Sequence, residues 1–234
     1  MTSNLSKWTK ASVISTIMLG VVGCTSKGPT SNPFERKFTW LSYIQGSDFS
    51  ETCSPTHPNQ YRLVYNGVYT EQLRTYDLSD SGYLDVQVIG PANLSGLEVS
   101  SFSDLLNPWR GKSANRLLTQ DQVDLLVESL KKDGAFGPPA EGLELSSKGF
   151  FWTIAACHGG AYHFTALSWP SPAWDEAQFD DVIFALDPSA VAVNPPRKTV
   201  TRQDMTAGVG EAKPVEFHAK VGKRGLAGFF SFPR

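Results

Sequence analysis

The sequence predicts an α+β fold, antiparallel β-hairpins forming a sheet with one or two helices packed on it. Three stretches carry that expectation. YRLVYNGVYTEQLRTYDL places Asn66-Gly67 between two β-rich runs, TQDQVDLLVESLKKDG has the period and both end signals of an amphipathic helix, and FFWTIAACHGGAYHFTALSW places Gly159-Gly160 between two further β-rich runs. With 41% hydrophobic and 12% aromatic residues, the 234-residue chain can bury a substantial core.

In the first hairpin, Asn-Gly favours a two-residue type I′ turn, because both central positions need positive φ. That turn sets Tyr65 opposite Val68 and Arg62 opposite Glu71, a cross-strand ion pair. A third strand follows at YLDVQVI, where Leu84, Val86 and Val88 alternate with Asp85 and Gln87. The alternation marks a strand with one face buried. Residues 90–116 then read as a long loop.

Thr119 and Gln122 form a capping box at the start of the helix, with Asp121 in its first turn. Val123, Leu126, Val127 and Leu130 form its apolar stripe. Lys131 and Lys132 suit its C-terminal end, and Gly134 a left-handed cap. In the second hairpin a Gly159-Gly160 turn pairs Cys157 with Tyr162 and Ala156 with His163, while Trp152, Ile154, Phe164 and Leu167 supply core. DEAQFDDVIFALDP reads as a second helix, capped by Asp175 and ending before Pro188. From Asn194 the chain turns rich in Gly, Pro and charge. Eight basic and three acidic residues lie between Arg197 and Arg234, in what reads as an extended, partly disordered tail.

The N-terminus reads as a secretory leader. Lys7 and Lys10 precede a short apolar core from Ala11 to Val22, and no acid occurs before Glu35. No run of about 18 apolar residues occurs anywhere, so no segment reads as a spanning helix. The apolar core ends Val21-Val22-Gly23-Cys24. This resembles the lipobox of bacterial lipoproteins, in which a small residue precedes an obligatory cysteine. The resemblance covers residues 1–25 and departs from the commoner pattern in having Val at both positions before Gly23. It implies a signal peptide over 1–23, cleavage after Gly23, and lipid on Cys24. Thr25, not an acid, follows the cysteine, which implies an outer-membrane destination facing the periplasm. Two or more acyl chains anchor stably where one does not. Residues 24–36 then form a flexible tether, 37–193 a single α+β domain, and 194–234 the basic tail. The body resembles Gram-negative envelope lipoproteins in general, not one named family.

Setting Cys24 aside leaves Cys53 and Cys157. In an oxidising envelope an even pair reads as a disulfide, and closing a loop of about 100 residues is worth roughly 4–5 kcal/mol by chain entropy. Two buried free thiols are the alternative.

Other constellations are weaker. Gly111-Lys112-Ser113 invites a P-loop reading, which fails because Leu106 stands where the first glycine belongs. The net charge of −2 lacks the concentrated basic face of a nucleic-acid binder. No Gly-x-Ser-x-Gly elbow occurs. Asp175, Glu176, Asp180 and Asp181 read as a solvated helix face. In the Gly159-Gly160 register His158 and His163 share one face as diagonal neighbours, and a Cys53–Cys157 bridge would bring His57 near; either these hold a metal or they are polar residues at a hairpin tip. Trp109-Arg110 and Trp169 to Pro172 are either binding loops or core pegs. Lys220, Lys223 and Arg224, followed by Phe229 and Phe230, would dock on an acidic partner or an anionic membrane, or pack back on the domain.

The functional expectation is a membrane-anchored periplasmic lipoprotein acting as a non-catalytic binding or structural component of the envelope, with an envelope protein as partner and no cofactor beyond the covalent lipid. The alternative is a metal- or small-ligand-binding protein, or an enzyme, using His158 and His163.

Overall fold

The computed structural model describes residues 42–69, 71–90, 111–198 and 217–231, with side chains up to 227 in the last segment. The leader, Cys24, the tether, Trp109-Arg110 and the side chains of Phe229 and Phe230 lie outside the described residues.

The architecture is α+β. Six antiparallel strands form the main sheet: β1 (Gln60–Gly67), β2 (Leu73–Ser79), β3 (Tyr83–Ile89), β4 (Lys112–Leu117), β6 (Phe150–His158) and β7 (Ala161–Trp169). Their spatial order is β4-β3-β2-β1-β6-β7. A second sheet holds β5 (Glu144–Ser146), β8 (Phe217–Gly222) and β9 (Gly225–Ser231), in the order β5-β8-β9. The helices are α1 (Ser47–Ser50), α2 (Gln120–Lys132), α3 (Pro172–Glu176) and α4 (Phe179–Leu186).

The main sheet is covered on both faces. One face carries Leu63, Tyr65, Tyr76, Leu84, Val86, Trp152 and Ile154, packed against Val123, Leu126 and Leu130 of α2 and Phe179, Ile183 and Leu186 of α4. The other face carries Phe151, Ala155, Cys157, Phe164 and Ala166, packed against Phe49 of α1, Leu145 of β5 and Phe217, Ala219 and Val221 of β8. β6 therefore has eight consecutive buried residues. At the far end β3 keeps its expected alternation, with Leu84, Val86 and Val88 buried, and β4 is an exposed edge strand.

The α2 capping box forms as its sequence predicts. The Thr119 hydroxyl accepts from the Gln122 amide, and the Gln122 side chain accepts from the Thr119 amide. Gly134 takes φ 78° just past the helix end. The second hairpin keeps its expected register, Cys157 opposite Tyr162 and Ala156 opposite His163. Both turn glycines have positive φ, and a Cβ on Gly160 would lie 2.5 Å from the Pro55 nitrogen. Trp152, Ile154, Phe164 and Leu167 are all buried.

Four expectations need correction. First, Asn66-Gly67 is not a turn. β1 runs through Gly67, Asn66 pairs with Leu73 and with Phe151, and residues 68–72 make the connection. Pairing with β6 extends β1 beyond the point where local preference would reverse it. The Asn66 amide donates to the Ser147 and Gly149 carbonyls instead of shaping a turn. Gly67 is needed for close approach, since a Cβ there would lie 2.8 Å from the Tyr65 ring. Arg62 consequently faces Asp77, not Glu71. Second, Lys112–Leu117 form a strand where the end of the loop was expected, because β3 offers an open edge. Third, the expected 175–187 helix is broken. Ser171, not Asp175, caps α3, and the Asp133 carboxylate accepts from the Gln178 and Phe179 amides where α4 begins. Fourth, residues 217–231 are not a disordered tail. β8 pairs with β5 and β9, and its Phe217, Ala219 and Val221 fill the second core.

The stretch from Asp187 to Arg197 crosses the β1–β2 end of the sheet as a strap. Arg74, fully buried, donates to Asp187 Oδ2 at 2.5 Å, to the Val191 and Ala192 carbonyls, and to Gln72 Oε1. Tyr76 donates to the same Asp187 oxygen. The Tyr65 hydroxyl donates to the Asn194 carbonyl, the Asn194 side chain donates to the Gly67 carbonyl, and Arg197 pairs with Glu71. Glu71 thus finds an arginine 126 residues away, in place of the expected Arg62. Removing one member of a buried ion pair strands the other charge. Arg74→Met is expected to lower stability by about 3–5 kcal/mol, read as a fall in the urea midpoint at unchanged slope; a loss below about 1 kcal/mol would show that Asp187 is not held by Arg74.

Candidate functional site

A polar cleft lies at the uncovered end of the second sheet face. It lies where α1 stops short of β3 and β4. A cleft of about 240 Å³ opens there, lined by Asp48, Arg62, Asp77, Ser79, Tyr83 and Asp85 among others. Strand alternation places Asp77 and Asp85 directly opposite each other on β2 and β3. Tyr83 and Leu117, also cross-strand neighbours, are 45% and 69% exposed beside it.

Arg62 organises this cleft. Its Nε donates to Asp77 Oδ1 at 2.6 Å, and its two terminal nitrogens grip Asp48 at 2.7 and 3.0 Å. One of them also donates to the Tyr43 carbonyl. The guanidinium lies 3.8 Å from the centre of the Tyr43 ring, within cation–π range. Tyr43 donates its hydroxyl to Asp77 Oδ2 at 2.5 Å. Burial, then the Asp77 charge, push the Tyr43 phenol well above its usual value of 10 and keep it protonated. Burial and then Asp77 also raise the Asp85 carboxyl. Arg62 is committed to carboxylates, and the Ser79 hydroxyl bonds Ser81, which leaves Asp85 and Tyr83 as the open groups at the mouth. Chemically, such a lining suits hydrogen bonding to a neutral or cationic group.

The segment 42–57 that walls this cleft is held from four sides. Asp48 and Tyr43 bond as above. The Gln45 side chain accepts from the Leu226 amide on β9 at 3.0 Å, and Tyr162 donates its hydroxyl to the Gln45 carbonyl. Cys53 is disulfide-bonded to Cys157, with Cα atoms 5.6 Å apart across a separation of 104 residues. Cys157 is fully buried on the face expected from the register.

His158 and His163 lie together at the second hairpin tip, both against Phe136. His158 Nδ1 is 2.8 Å from the Tyr61 hydroxyl, and its ring stacks on Phe136 at 4.3 Å. His163 meets the edge of the same Phe136 at 5.5 Å. Burial, then the neighbouring His158, lower the His163 pKa. His57 does not join them: among the described residues no three His, Cys, Asp or Glu side chains group to hold a metal. The pair is packed by aromatic stacking at the hairpin tip. Asp180 and Asp181 fall in the first turn of α4 and Asp175 in that of α3. Trp169 and Trp174 pack against the first core as pegs. Lys220, Lys223 and Arg224 are exposed on β8 and the β8–β9 turn. Among the described residues, no helix is long and apolar enough to cross a membrane.

The cleft was not visible in the sequence. Asp48, Arg62, Asp77 and Asp85 lie on four separate segments, and the assumed Asn66-Gly67 turn had assigned Arg62 to the wrong carboxylate. Only the alternation around Asp85 hinted at an outward-facing acid. No family model, curated protein or solved structure matches the chain.

Two outcomes are expected. Replacing both Cys53 and Cys157 by Ser should cost about 2–5 kcal/mol in denaturant unfolding; an unchanged midpoint would mean the bridge constrains nothing. Burial is the leading cause raising the phenols of Tyr43, Tyr61, Tyr65, Tyr76 and Tyr162, with Tyr61 pushed up to about 12. A phenol whose folded pKa is raised contributes full stability below 10 and loses it as pH rises toward the folded value. Stability should therefore fall between pH 10 and 12, with phenolate absorbance lagging free tyrosine until unfolding; five tyrosines titrating together near pH 10 in folded protein would refute the burial.

Proposed function

We propose that this chain is an envelope lipoprotein, anchored through Cys24 and facing the periplasm at the outer membrane, that serves as a non-catalytic binding or structural component. The Cys53–Cys157 disulfide carries the reading. Such bonds persist in oxidising compartments and are rare in the cytosol. The chain has three cysteines, and the bridge takes two. The remaining one stands at the end of the apolar leader, where a lipobox needs it. The cleft supports a binding role, because its arginine is locked between carboxylates, its Tyr43 phenol is held protonated, and its open groups are suited to hydrogen bonding. An envelope protein is the partner we assign to this exposed end of the sheet.

Mass spectrometry of protein extracted from membranes should find a mature N-terminus at Cys24 carrying acyl chains, and Cys24→Ala should leave the leader uncleaved. Recovery of unacylated full-length protein from the soluble fraction would overturn the reading. Crosslinking in native envelopes should capture a stoichiometric protein partner, whereas turnover of a small substrate by the purified protein would contradict the non-catalytic role.

A further inference from the structure

The second sheet presents a basic outer surface. Along β8, Phe217, Ala219 and Val221 are buried while His218 and Lys220 alternate outward. The two-residue connection to β9 is Lys223-Arg224, flanked by the Gly222–Gly225 pair, and both side chains are exposed. Among the described residues no carboxylate pairs with Lys220, Lys223 or Arg224 within salt-bridge distance. The nearby acids are Glu144, opposite Lys220 on β5, Glu141, whose neighbour Gly142 donates to the Val221 carbonyl, and Asp48, which is engaged by Arg62. Among the described residues three cations against two free acids leave this edge positive, although the chain as a whole is net negative.

The chain enters the fold beside this same turn. Gln45 Oε1 accepts from the Leu226 amide, and a Cβ on Gly225 would lie 2.7 Å from that oxygen. Ile44 packs in the cluster that Leu226 touches. The described chain begins at Ser42, three residues before Gln45, which bonds beside the Lys223-Arg224 tip. Cys24 lies 18 residues earlier, a reach of at most about 60 Å even if fully extended.

Resting on the Cys24 anchor proposed above, we infer that the β8–β9 turn and the outer face of β8 form a second membrane contact, with Lys220, Lys223 and Arg224 docking on anionic phospholipid headgroups. A tether that enters beside the basic tip leaves that tip within reach of the bilayer. Each basic residue close to an anionic surface raises partition roughly fivefold, and the effect fades within a screening length. An acyl anchor and a basic patch are the two signals that together hold a protein flat against a membrane. The mouth of the cleft, beside Tyr83 and Asp85, is built on β3, and none of Lys220, Lys223 and Arg224 lines it.

The test mixes purified full-length protein with vesicles of phosphatidylcholine alone, or with about 30% phosphatidylglycerol added, and labels lysines with a water-soluble acylating reagent. On anionic vesicles, labelling of Lys220 and Lys223 should fall at least about threefold relative to zwitterionic ones, and recover in about 0.5 M salt. Lys131, exposed on α2 across the main sheet, should label equally on both. In Lys223→Glu with Arg224→Glu, a pair confined to an exposed turn, protection of Lys220 should disappear. Equal labelling of Lys220 and Lys223 on the two vesicle types overturns the inference. Retention on phosphatidylcholine vesicles reads the acyl anchor by itself. Protein that leaves those vesicles but is protected on anionic ones keeps the basic surface and loses the anchor; protein retained on both without lysine protection keeps the anchor and loses the surface.

Discussion

β6 has no wet face. Phe150 to Cys157 are buried without interruption, so the main sheet must be covered on both sides along its middle. An antiparallel sheet commonly leaves one face to solvent. Here α2 and α4 supply one cover and the second sheet with α1 supplies the other. The C-terminal hairpin is therefore required by the core. Without Phe217, Ala219 and Val221, the side chains of Phe151, Phe164 and Ala166 would meet water.

Two buried arginines follow from the same constraint. Arg62 and Arg74 come from neighbouring strands and point to opposite faces. Each is buried and neutralised by an aspartate from elsewhere in the chain, Asp48 and Asp77 for one and Asp187 for the other. A buried charge is tolerated only when paired and fully hydrogen-bonded. Arg74 meets that condition by gathering the strap after α4, and Arg62 by gathering the segment after Ser42. The arginines act as staples that bring irregular chain onto a finished sheet. The disulfide reinforces the second of them from the other end of segment 42–57.

The polar cleft sits where the covering stops. β3 and β4 lie beyond the reach of α1 and the second sheet, so their outer face stays open with Tyr83, Asp85 and Leu117 on it. The acidic-leaning cleft and the basic β8–β9 edge occupy different parts of the same layer. In the proposed envelope setting one would address a partner and the other the bilayer, with the tether entering beside the basic edge.

The sequence alone determined the features set by neighbours in the chain. The α2 capping box depends on residues three apart, the Gly159-Gly160 turn on two adjacent backbone angles, and the alternation of β3 on its own period. It also named the cysteine pair, by counting and not by geometry. Tertiary structure decided what depends on distant segments. Asn66-Gly67 has a strong local preference for a turn, but eight residues of pairing with β6 hold it in a strand. Lys112 to Leu117 shows no strand pattern because an edge strand need bury nothing. The C-terminal hairpin looked like tail because its glycines and charges dilute a burial pattern that only the waiting apolar face of β6 and β7 makes meaningful. The cleft joins residues up to 37 positions apart, from Asp48 to Asp85. Pairing at that separation is chosen by which complete set of covers leaves the two faces of the sheet dry, a quantity no local window contains.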